Sequence, residues 1–307
     1  MASKTLKRTL KAILLTVMIY VITSAALTKV IYDSTFRRYD PPPTEPPSAL
    51  AAMLDRRQSV RFPSGENTLQ GYLYDGSRDT LVVISIGHNA SGDDYLWQIK
   101  SLLDYGWGVF IFDGTGAAES EGSSCAGFPQ AVSDLDAALT YLERNDRFGY
   151  RQTALLGHSQ GGYAVCCVLT HGHEIAAAVS VSGVNSAMEG VLAPSTEAVG
   201  PFAYANYPFL WLYQASIFGV ESVNASAADA ICASQVPVLI AHGQNDETVS
   251  ADRFSILSHR EEIPQAECRI YTEAGQDGHT SVLFDADGTA NDLLMSDIND
   301  FFDRWAS

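Results

Sequence analysis

Short apolar runs alternate with amphipathic segments along most of the chain. Four of the apolar runs are continuous and flanked by glycine or polar residues: residues 81–86, 108–112, 153–156 and 176–182. Such runs are typical of strands that are buried on both faces of a sheet. Between two of them, residues 129–144 carry apolar positions every three or four residues, which predicts an amphipathic helix. Strands alternating with helices predict an α/β fold, with a mainly parallel central sheet flanked by helices.

The same pattern predicts the remaining elements of one α/β domain over residues 59–307. Residues 59–62 and 69–74 form a strand pair joined by a Gly-containing turn. The other predicted strands are residues 236–241 and 268–271, and the other predicted helices are residues 95–103, 161–170 and 290–305. Hydrophobic residues make up 46% of the sequence, which is enough apolar material for a full core.

An insertion at about residues 184–230 interrupts the alternation of strands and helices. It is rich in aromatic residues: Phe202, Tyr204, Tyr207, Phe209, Trp211, Tyr213 and Phe218. Open α/β sheets bind their ligands at the carboxyl ends of the strands. We therefore predict that this insertion is a lid over that edge of the sheet.

The first 38 residues predict a membrane segment. Basic residues precede an uncharged stretch at residues 12–28, which is rich in Leu, Ile, Val and Ala and is followed by Lys29. A membrane-spanning helix needs roughly 17–25 residues, so this stretch is long enough if Lys29 reaches the interface. Because basic residues before the span stay cytoplasmic, the rest of the chain is expected outside the cytoplasm. A proline-rich linker is predicted over residues 39–58.

A cleaved signal peptide is the alternative interpretation of this segment. Ser24-Ala25-Ala26 would supply the small residues of a cleavage site, and the domain would then be secreted. The uncharged stretch exceeds the roughly 7–15 residues of a typical signal core, which favours an uncleaved anchor. Both interpretations export the catalytic domain.

Charge and cysteine content narrow the choice of ligands. The formal net charge is −17, and only one of the 36 acidic residues lies within the first 38 positions. An acidic domain repels nucleic acid, so no nucleic-acid partner is expected. The five cysteines show no metal-ligand spacing, and no metal site is predicted. For an exported domain the sequence leaves open a disulfide between Cys232 and Cys268.

A serine lies in a Gly-His-Ser-Gln-Gly turn at residues 157–161, between a predicted strand and a predicted helix. In the G-x-S-x-G motif, small residues two positions before and after the serine let strand and helix approach, which exposes the hydroxyl. The N-terminus of the following helix favours developing negative charge. Ser159 is therefore the candidate nucleophile, and the backbone N–H of Gln160 a candidate oxyanion donor.

From about residue 69 to 305 the chain resembles the α/β-hydrolase superfamily. The landmarks follow in order: Gly87-His88-Asn89 after the third strand, Asp113-Gly114-Thr115-Gly116 after the fourth, the serine turn, His242-Gly243-Gln244-Asn245-Asp246, and Gly278-His279. In the third-strand turn, the glycine precedes the histidine, which reverses the usual order. The resemblance implies a second oxyanion donor there, which we assign to the Asn89 backbone N–H, with Ala90 as the alternative.

In this fold the triad follows the order serine, acid, histidine, which selects Asp246 as the acid and His279 as the base. A serine hydroxyl needs an imidazole to take its proton, and a buried carboxylate to orient that imidazole. Asp277 and Glu247 are the rival acids. Among the other histidines, His158 is expected to pack beside the site, His88 to bond within its own turn, and His242 to cap its strand.

These residues predict a serine hydrolase that needs no cofactor and cleaves carboxylic esters through an acyl-enzyme on Ser159. The aromatic lid and the membrane helix favour a small-molecule or lipid acyl substrate. A serine peptidase of the same fold is the alternative. A membrane-tethered binding module without activity is a third interpretation, which the complete triad disfavours.

Overall fold

An eight-stranded sheet forms the centre of the protein. The computed structural model describes the backbone of residues 2–43 and 45–307, and their side chains except at positions 2, 3, 197–199 and 202. The strands are β1 Gln58–Ser64, β2 Asn67–Tyr74, β3 Thr80–Ser85, β4 Gly108–Phe112, β5 Gln152–His158, β6 Ala177–Val181, β7 Val238–Gly243 and β8 Glu267–Tyr271.

Six of the strands run parallel, so their carboxyl ends meet at one edge of the sheet. The strand order is β1-β2-β4-β3-β5-β6-β7-β8; β1 and β2 form an antiparallel hairpin, and β2 pairs antiparallel with β4. All remaining neighbours are parallel. This architecture confirms the predicted α/β-hydrolase type of sheet. β7 begins later than predicted because Pro237 has no N–H to donate to a ladder.

Ten α-helices accompany the sheet in the described residues: α1 Ala2–Thr35, α2 Ala51–Leu54, α3 Leu96–Asp104, α4 Phe128–Arg144, α5 Gln160–Cys167, α6 Ala187–Val199, α7 Tyr207–Phe218, α8 Val220–Asn224, α9 Ala227–Ala233 and α10 Asp292–Trp305. The predicted helix over 161–170 loosens into a 3-10 turn after Cys167.

Alternating strand residues pack into two hydrophobic cores, one on each face of the sheet. In β3, Leu81 and Val83 join the core that contains α4 and α5, whereas Val82 and Ile84 join the core that contains α3 and α10. All four are fully buried. Burying a side chain of this size stabilises the fold by about 1.5–3 kcal/mol, so both layers of helices hold the central strands in place.

Helix α1 extends beyond the uncharged stretch and packs against α7. Within the described residues it is the one helix long and apolar enough to span a membrane. Most of its side chains are exposed, but Ser24, Thr28 and Tyr32, spaced four residues apart, form a buried stripe. Tyr32 stacks edge-on against Tyr213 of α7, with ring centroids 5.3 Å apart.

The chain that follows α1 is bound to the α/β domain. Residues 37 and 39 form isolated bridges with Ser124 and Ala117, and the Arg38 guanidinium donates to the carbonyl oxygens of Ala118, Ser120 and Gly122. Further on, Leu50 is fully buried in the core that contains α3. Part of the segment predicted as a linker therefore packs on the domain.

The insertion folds into the helices α6, α7 and α8, joined by a 3-10 segment at Gly200–Asn206. Leu210 and Gln214 are the buried side chains of α7, while Tyr204, Tyr207 and Leu212 are exposed. The side chain of Phe202 lies outside the described residues. We call α6, the 3-10 segment, α7 and α8 the cap. Whether the cap moves as a lid stays a prediction.

All five cysteines are free thiols. Cys232 is exposed and donates to the Glu262 carbonyl oxygen, while Cys268 is half-buried in β8. The disulfide that the sequence left open between these two residues is not formed in this structure.

Candidate active site

Ser159 occupies the turn between β5 and α5, in a strained backbone conformation. Its φ of 56° and ψ of −116° are rare for a residue with a side chain. Two backbone hydrogen bonds hold it there: its N–H donates to Val181 at 2.8 Å, and the Tyr163 N–H donates to its carbonyl at 3.1 Å. The strain places the hydroxyl at the carboxyl edge of the sheet.

Two glycines allow β5 and α5 to approach this closely. A Cβ atom built on Gly157 would lie 2.2 Å from the Gly161 carbonyl oxygen, and one built on Gly161 would lie 1.9 Å from the Ser85 carbonyl oxygen. Both distances are far shorter than any real Cβ contact. The glycines of the motif are therefore a steric requirement of the turn.

The structure brings Ser159, His279 and Asp246 together. His279 Nε2 lies 2.8 Å from Ser159 Oγ, and His279 Nδ1 lies 2.8 Å from Asp246 Oδ2. With the carboxylate on one side, Nδ1 carries the proton and Nε2 accepts from the serine hydroxyl. These residues come from loops after β5, β7 and β8, so the parallel sheet creates the arrangement.

The Asp246 carboxylate is buried but fully supplied with donors. Its Oδ1 accepts from the N–H groups of Thr248 at 2.9 Å and Val249 at 2.7 Å. Its Oδ2 faces both His279 and His242 Nε2, the latter at 3.1 Å. Burial alone would raise the pKa of Asp246, but the hydrogen bonds from His242 and His279 outweigh it and hold the pKa well below the ordinary value. The carboxylate is therefore charged throughout the neutral range.

His242 was expected to cap its strand, but the structure places it beside the acid. Its ring is fully buried, and Nε2 faces both Asp246 and the Val249 carbonyl oxygen, 2.9 Å away. Because both neighbours accept, Nε2 carries the proton. The sequence held one signal of this contact, the spacing of four residues between His242 and Asp246 across a tight loop.

The rival acids have other environments. Asp277 accepts a hydrogen bond of 2.6 Å from Asn245 Nδ2 and fixes the loop that carries His279. Glu247 is exposed. Asp113 is buried and accepts from the Gly92 N–H at 2.8 Å, and burial raises its pKa to about 6. Among the carboxylates considered, Asp246 is the one that contacts His279.

His158 links three loops around the serine. Its Nδ1 lies 3.0 Å from the Tyr95 hydroxyl, which accepts from the Gly87 N–H at 2.9 Å. Its Nε2 lies 3.0 Å from the His279 carbonyl oxygen. Burial, and next the neighbouring His279, lower the pKa of His158 to about 3, so its ring stays neutral. The sequence predicted packing beside the site but not this chain of hydrogen bonds.

The two predicted oxyanion donors flank the same turn. Asn89 has a positive φ of 53°, and among the described residues its backbone N–H has no hydrogen-bond acceptor. Gln160 is the first residue of α5, where a helical N–H has no intrahelical partner. The Gly87 N–H is already bound to Tyr95. Asn89 and Gln160 line one small pocket together, and Asn89 shares the main cavity with Ser159.

His88 contacts the N-terminal helix and not its own turn, which corrects the expectation from sequence. Its Nε2 lies 3.1 Å from the Thr35 carbonyl oxygen at the end of α1, and its ring packs edge-on against Phe36 at 5.0 Å. No local pattern in the sequence indicates this contact, because the two residues are 53 positions apart.

A cavity of about 640 Å³ lies above Ser159. Many of its lining residues come from α1 and the cap, and its surface is mainly apolar, with polar atoms supplied by His88, Asn89, Ser159 and a minority of the other lining residues. Volumes of about 300–1,000 Å³ are typical of small-molecule sites. Within the described residues, no group of three or more His, Cys, Asp or Glu side chains could hold a metal ion.

Comparison with known proteins supports the fold described above. The family model of the S33 serine aminopeptidases matches residues 76–217. No curated protein matches the chain. The solved structures that match include esterases and a peptidase, and together with the family model they confirm the resemblance to the α/β-hydrolase superfamily.

Three of these structures show how the matches differ in identity, TM-score and coverage. An esterase of Pyrococcus furiosus is 17% identical with a TM-score of 0.65, covering 89% of this chain and all of its own. Est1E of Butyrivibrio proteoclasticus, with ferulic acid bound, is 18% identical with a TM-score of 0.59, and the match covers 80% of this chain and 98% of Est1E. An acylaminoacyl peptidase of Pyrococcus horikoshii is 14% identical with a TM-score of 0.57, and the match covers 80% of this chain and 41% of the peptidase. At these identities the likeness establishes the fold.

We predict that Gly161→Ala prevents the turn from closing, because its Cβ would overlap the Ser85 carbonyl oxygen. Overpacking of this kind costs about 1–3 kcal/mol, and more against rigid backbone. Gly114→Ala is the matched control, since its Cβ would meet nothing closer than 3.5 Å. Thermal unfolding of the purified variants measures the effect, and equal midpoints for both variants would contradict it.

We also predict that His158 makes stability fall with acid. Its folded pKa of about 3 lies below the ordinary 6.5, so between these values the unfolded chain binds a proton that the folded chain does not. Stability then decreases as the pH falls from 6.5 towards 3, by up to about 1.4 kcal/mol per pH unit. His158→Gln should flatten the dependence of the unfolding midpoint on pH between 4.5 and 6.5. An unchanged slope would argue against a buried neutral imidazole.

Proposed function

Since the chain has the α/β-hydrolase fold, we propose that it is a serine hydrolase that cleaves carboxylic esters through an acyl-enzyme on Ser159. The observation that carries the proposal is the line of two 2.8 Å hydrogen bonds from Ser159 through His279 to Asp246. Nucleophile and base lie within hydrogen-bond reach, and a third group orients the base.

Acylation begins when His279 Nε2 takes the proton of the Ser159 hydroxyl as Oγ attacks the ester carbonyl carbon. The charged Asp246 stabilises the imidazolium that forms and remains ionised. The carbonyl oxygen gains negative charge, which the N–H groups of Asn89 and Gln160 would stabilise. When the tetrahedral intermediate collapses, His279 gives the proton to the departing alcohol.

Deacylation repeats these steps with water as the nucleophile. His279 takes a proton from water, the hydroxide attacks the acyl-enzyme carbonyl, and the same N–H groups receive the oxyanion. Collapse then releases a carboxylic acid and returns the proton to Ser159 Oγ. The bonds from His242 to Asp246 and from His158 to His279 would keep the imidazole aligned through both halves.

The walls of the cavity favour an acyl group of medium or long length. The surface of the cavity above Ser159 is mainly apolar, and its aliphatic side chains include Val191 and Leu192 from α6 and Leu210 from α7. Apolar walls favour alkyl chains by about 0.8 kcal/mol for each buried methylene group. We therefore propose a carboxylesterase or lipase-like activity on a small-molecule or lipid acyl ester.

We propose further that residues 1–38 anchor the enzyme in a membrane, with the catalytic domain outside the cytoplasm. Helix α1 has the required length and composition, and its basic residues lie at its amino end. The acidic charge of the domain supports the absence of a nucleic-acid partner. Residues 39–58 would join the anchor to the hydrolase domain at residues 59–307, whose insertion spans about 184–230.

A serine peptidase is the second candidate, because the matching family model describes serine aminopeptidases. The same triad can attack an amide carbonyl, but the leaving amine must then be protonated before it departs. A peptidase also needs a polar or charged group to hold the peptide terminus. In the described lining of the cavity, Arg37 is the one charged residue.

We predict that Ser159→Ala lowers kcat for p-nitrophenyl butyrate by a factor of roughly 10⁴–10⁶, because the acyl-enzyme cannot form. The same change should abolish labelling by a fluorophosphonate probe at this residue. Ser77→Ala, at an exposed position remote from the site, is the control and should keep both signals. A wild-type chain that neither turns over the ester nor reacts with the probe would identify a binding module.

A substrate panel separates the two activities. We predict that kcat/KM for p-nitrophenyl esters exceeds that for aminoacyl p-nitroanilides at least roughly a hundredfold, and that it rises from acetate towards longer acyl groups, because each buried methylene contributes about 0.8 kcal/mol. Faster cleavage of the anilides would favour the peptidase instead.

A further inference from the structure

The cavity above Ser159 is enclosed from one side by the candidate membrane helix itself. Leu27, Thr28, Ile31 and Tyr32 of α1 line it, and Leu210 of α7 belongs to the cap that completes the enclosure. Thr28 and Tyr32 are buried there, whereas Leu27 and Ile31 are about half exposed. The half-exposed pair therefore borders an opening of the cavity along α1.

The cap is attached to α1 over a long stretch. The Tyr20 hydroxyl donates to the Ala205 carbonyl oxygen at 2.9 Å, and the Tyr20 ring packs on Phe209 with centroids 5.7 Å apart. Nearer the end of α1, Tyr32 packs on Tyr213. At 1.5 Å per residue, Tyr20 and Tyr32 are roughly 18 Å apart along the helix. Any medium that surrounds this part of α1 therefore also surrounds the cap.

The 3-10 segment and α7 of the cap present an uncharged and largely apolar surface. Residues 198–220, 23 in succession, contain no Asp, Glu, Lys, Arg or His. Leu212, Ile217 and Val220 are apolar but 45–58% exposed, and no other part of the described chain covers them. A helix that is apolar all round is normally buried in protein or in lipid. Together with the exposed apolar side of α1, these residues form one surface far larger than isolated exposed side chains would.

Polar contacts at the end of α1 mark where this surface meets water. Lys29 pairs with Asp33 at 2.5 Å and contacts the Tyr213 hydroxyl at 3.1 Å. Lysine and tyrosine are typical of the interface between lipid and water. A hydrocarbon core of roughly 30 Å takes about 20 helical residues, which from Ala12 reaches Ile31. Leu27 and Ile31, which border the opening of the cavity, thus lie at the outer boundary of the span.

From these observations we propose that α1 and the cap are embedded together in the outer leaflet of a bilayer, and that the cavity opens into it. The substrate class would be an ester of a membrane lipid, whose acyl chain enters beside Leu27 and Ile31 without leaving the bilayer. This proposal rests on the proposed hydrolase function and adds α1 to the substrate site.

A matched pair of substitutions in α1 tests the wall of the cavity. The full-length chain is placed in phosphatidylcholine vesicles, and kcat/KM is measured for p-nitrophenyl laurate and p-nitrophenyl butyrate. Ile31→Trp should lower the laurate-to-butyrate ratio of kcat/KM by about fifteenfold. This is the effect expected if the indole displaces two methylene groups of the laurate chain from the cavity, because each buried methylene is worth about fourfold. Val30→Trp, at the adjacent exposed position outside the cavity, should leave the ratio unchanged.

A second matched pair tests contact with the bilayer. Leu212 in the cap and Leu293 in α10 are 58% and 57% exposed. Leu212→Lys should lower the hydrolysis of 4-methylumbelliferyl oleate held in vesicles, relative to soluble p-nitrophenyl butyrate, by roughly fivefold or more, because a charge is costly in lipid. Leu293→Lys should change neither rate.

The outcomes distinguish this inference from the function on which it rests. Suppose that the wild-type chain hydrolyses the esters, but Ile31→Trp changes the laurate-to-butyrate ratio no more than Val30→Trp does, or Leu212→Lys changes the relative rate on the oleate ester no more than Leu293→Lys does. The bilayer site is then wrong, and the hydrolase proposal stands. If light scattering in detergent shows a dimer that Leu212→Lys dissociates, a second copy covers the cap and the proposal is overturned. A wild-type chain that hydrolyses no ester overturns the function itself.

Discussion

The site depends on the hydrogen bonds that stabilise the buried, negatively charged carboxylate of Asp246. A carboxylate removed from water is stable only when its oxygens receive enough hydrogen bonds, and here two backbone amides and two imidazoles supply them. The backbone donors require the tight loop after β7, and His279 requires the loop after β8. The position of Asp246 therefore ties the geometry of His279 to the order of strands in the sheet.

Much of this organisation could be predicted from sequence because it follows from local chemistry. The strands in the centre of the sheet are continuous apolar runs, and β4 was predicted at its observed bounds. The glycines around Ser159 are dictated by the approach of strand and helix, and the order of the triad by the topology of the fold. Asp246 and His279 could be selected because parallel strands deliver their following loops to one edge.

What escaped prediction depends on contacts between segments that are distant in the chain. The pairing of His158 with Tyr95 spans 63 residues, and that of His88 with the end of α1 spans 53. A histidine carries no local pattern that reveals which atom will face it. For the same reason the anchor and the catalytic domain were predicted as separate parts joined by a linker, although Phe36 and Leu50 are buried in the two cores of the domain.

The binding of Arg38 to three carbonyl oxygens of the loop after β4 has a mechanical consequence. A body tethered by a flexible chain would tumble beside its anchor, and its opening would face any direction. Here the end of α1 is clamped to the body within a few residues of its last turn, so anchor and body would rotate as a single object. With the proposed anchoring, orientation relative to the membrane would be set during folding, and each encounter with a ligand would begin already aligned.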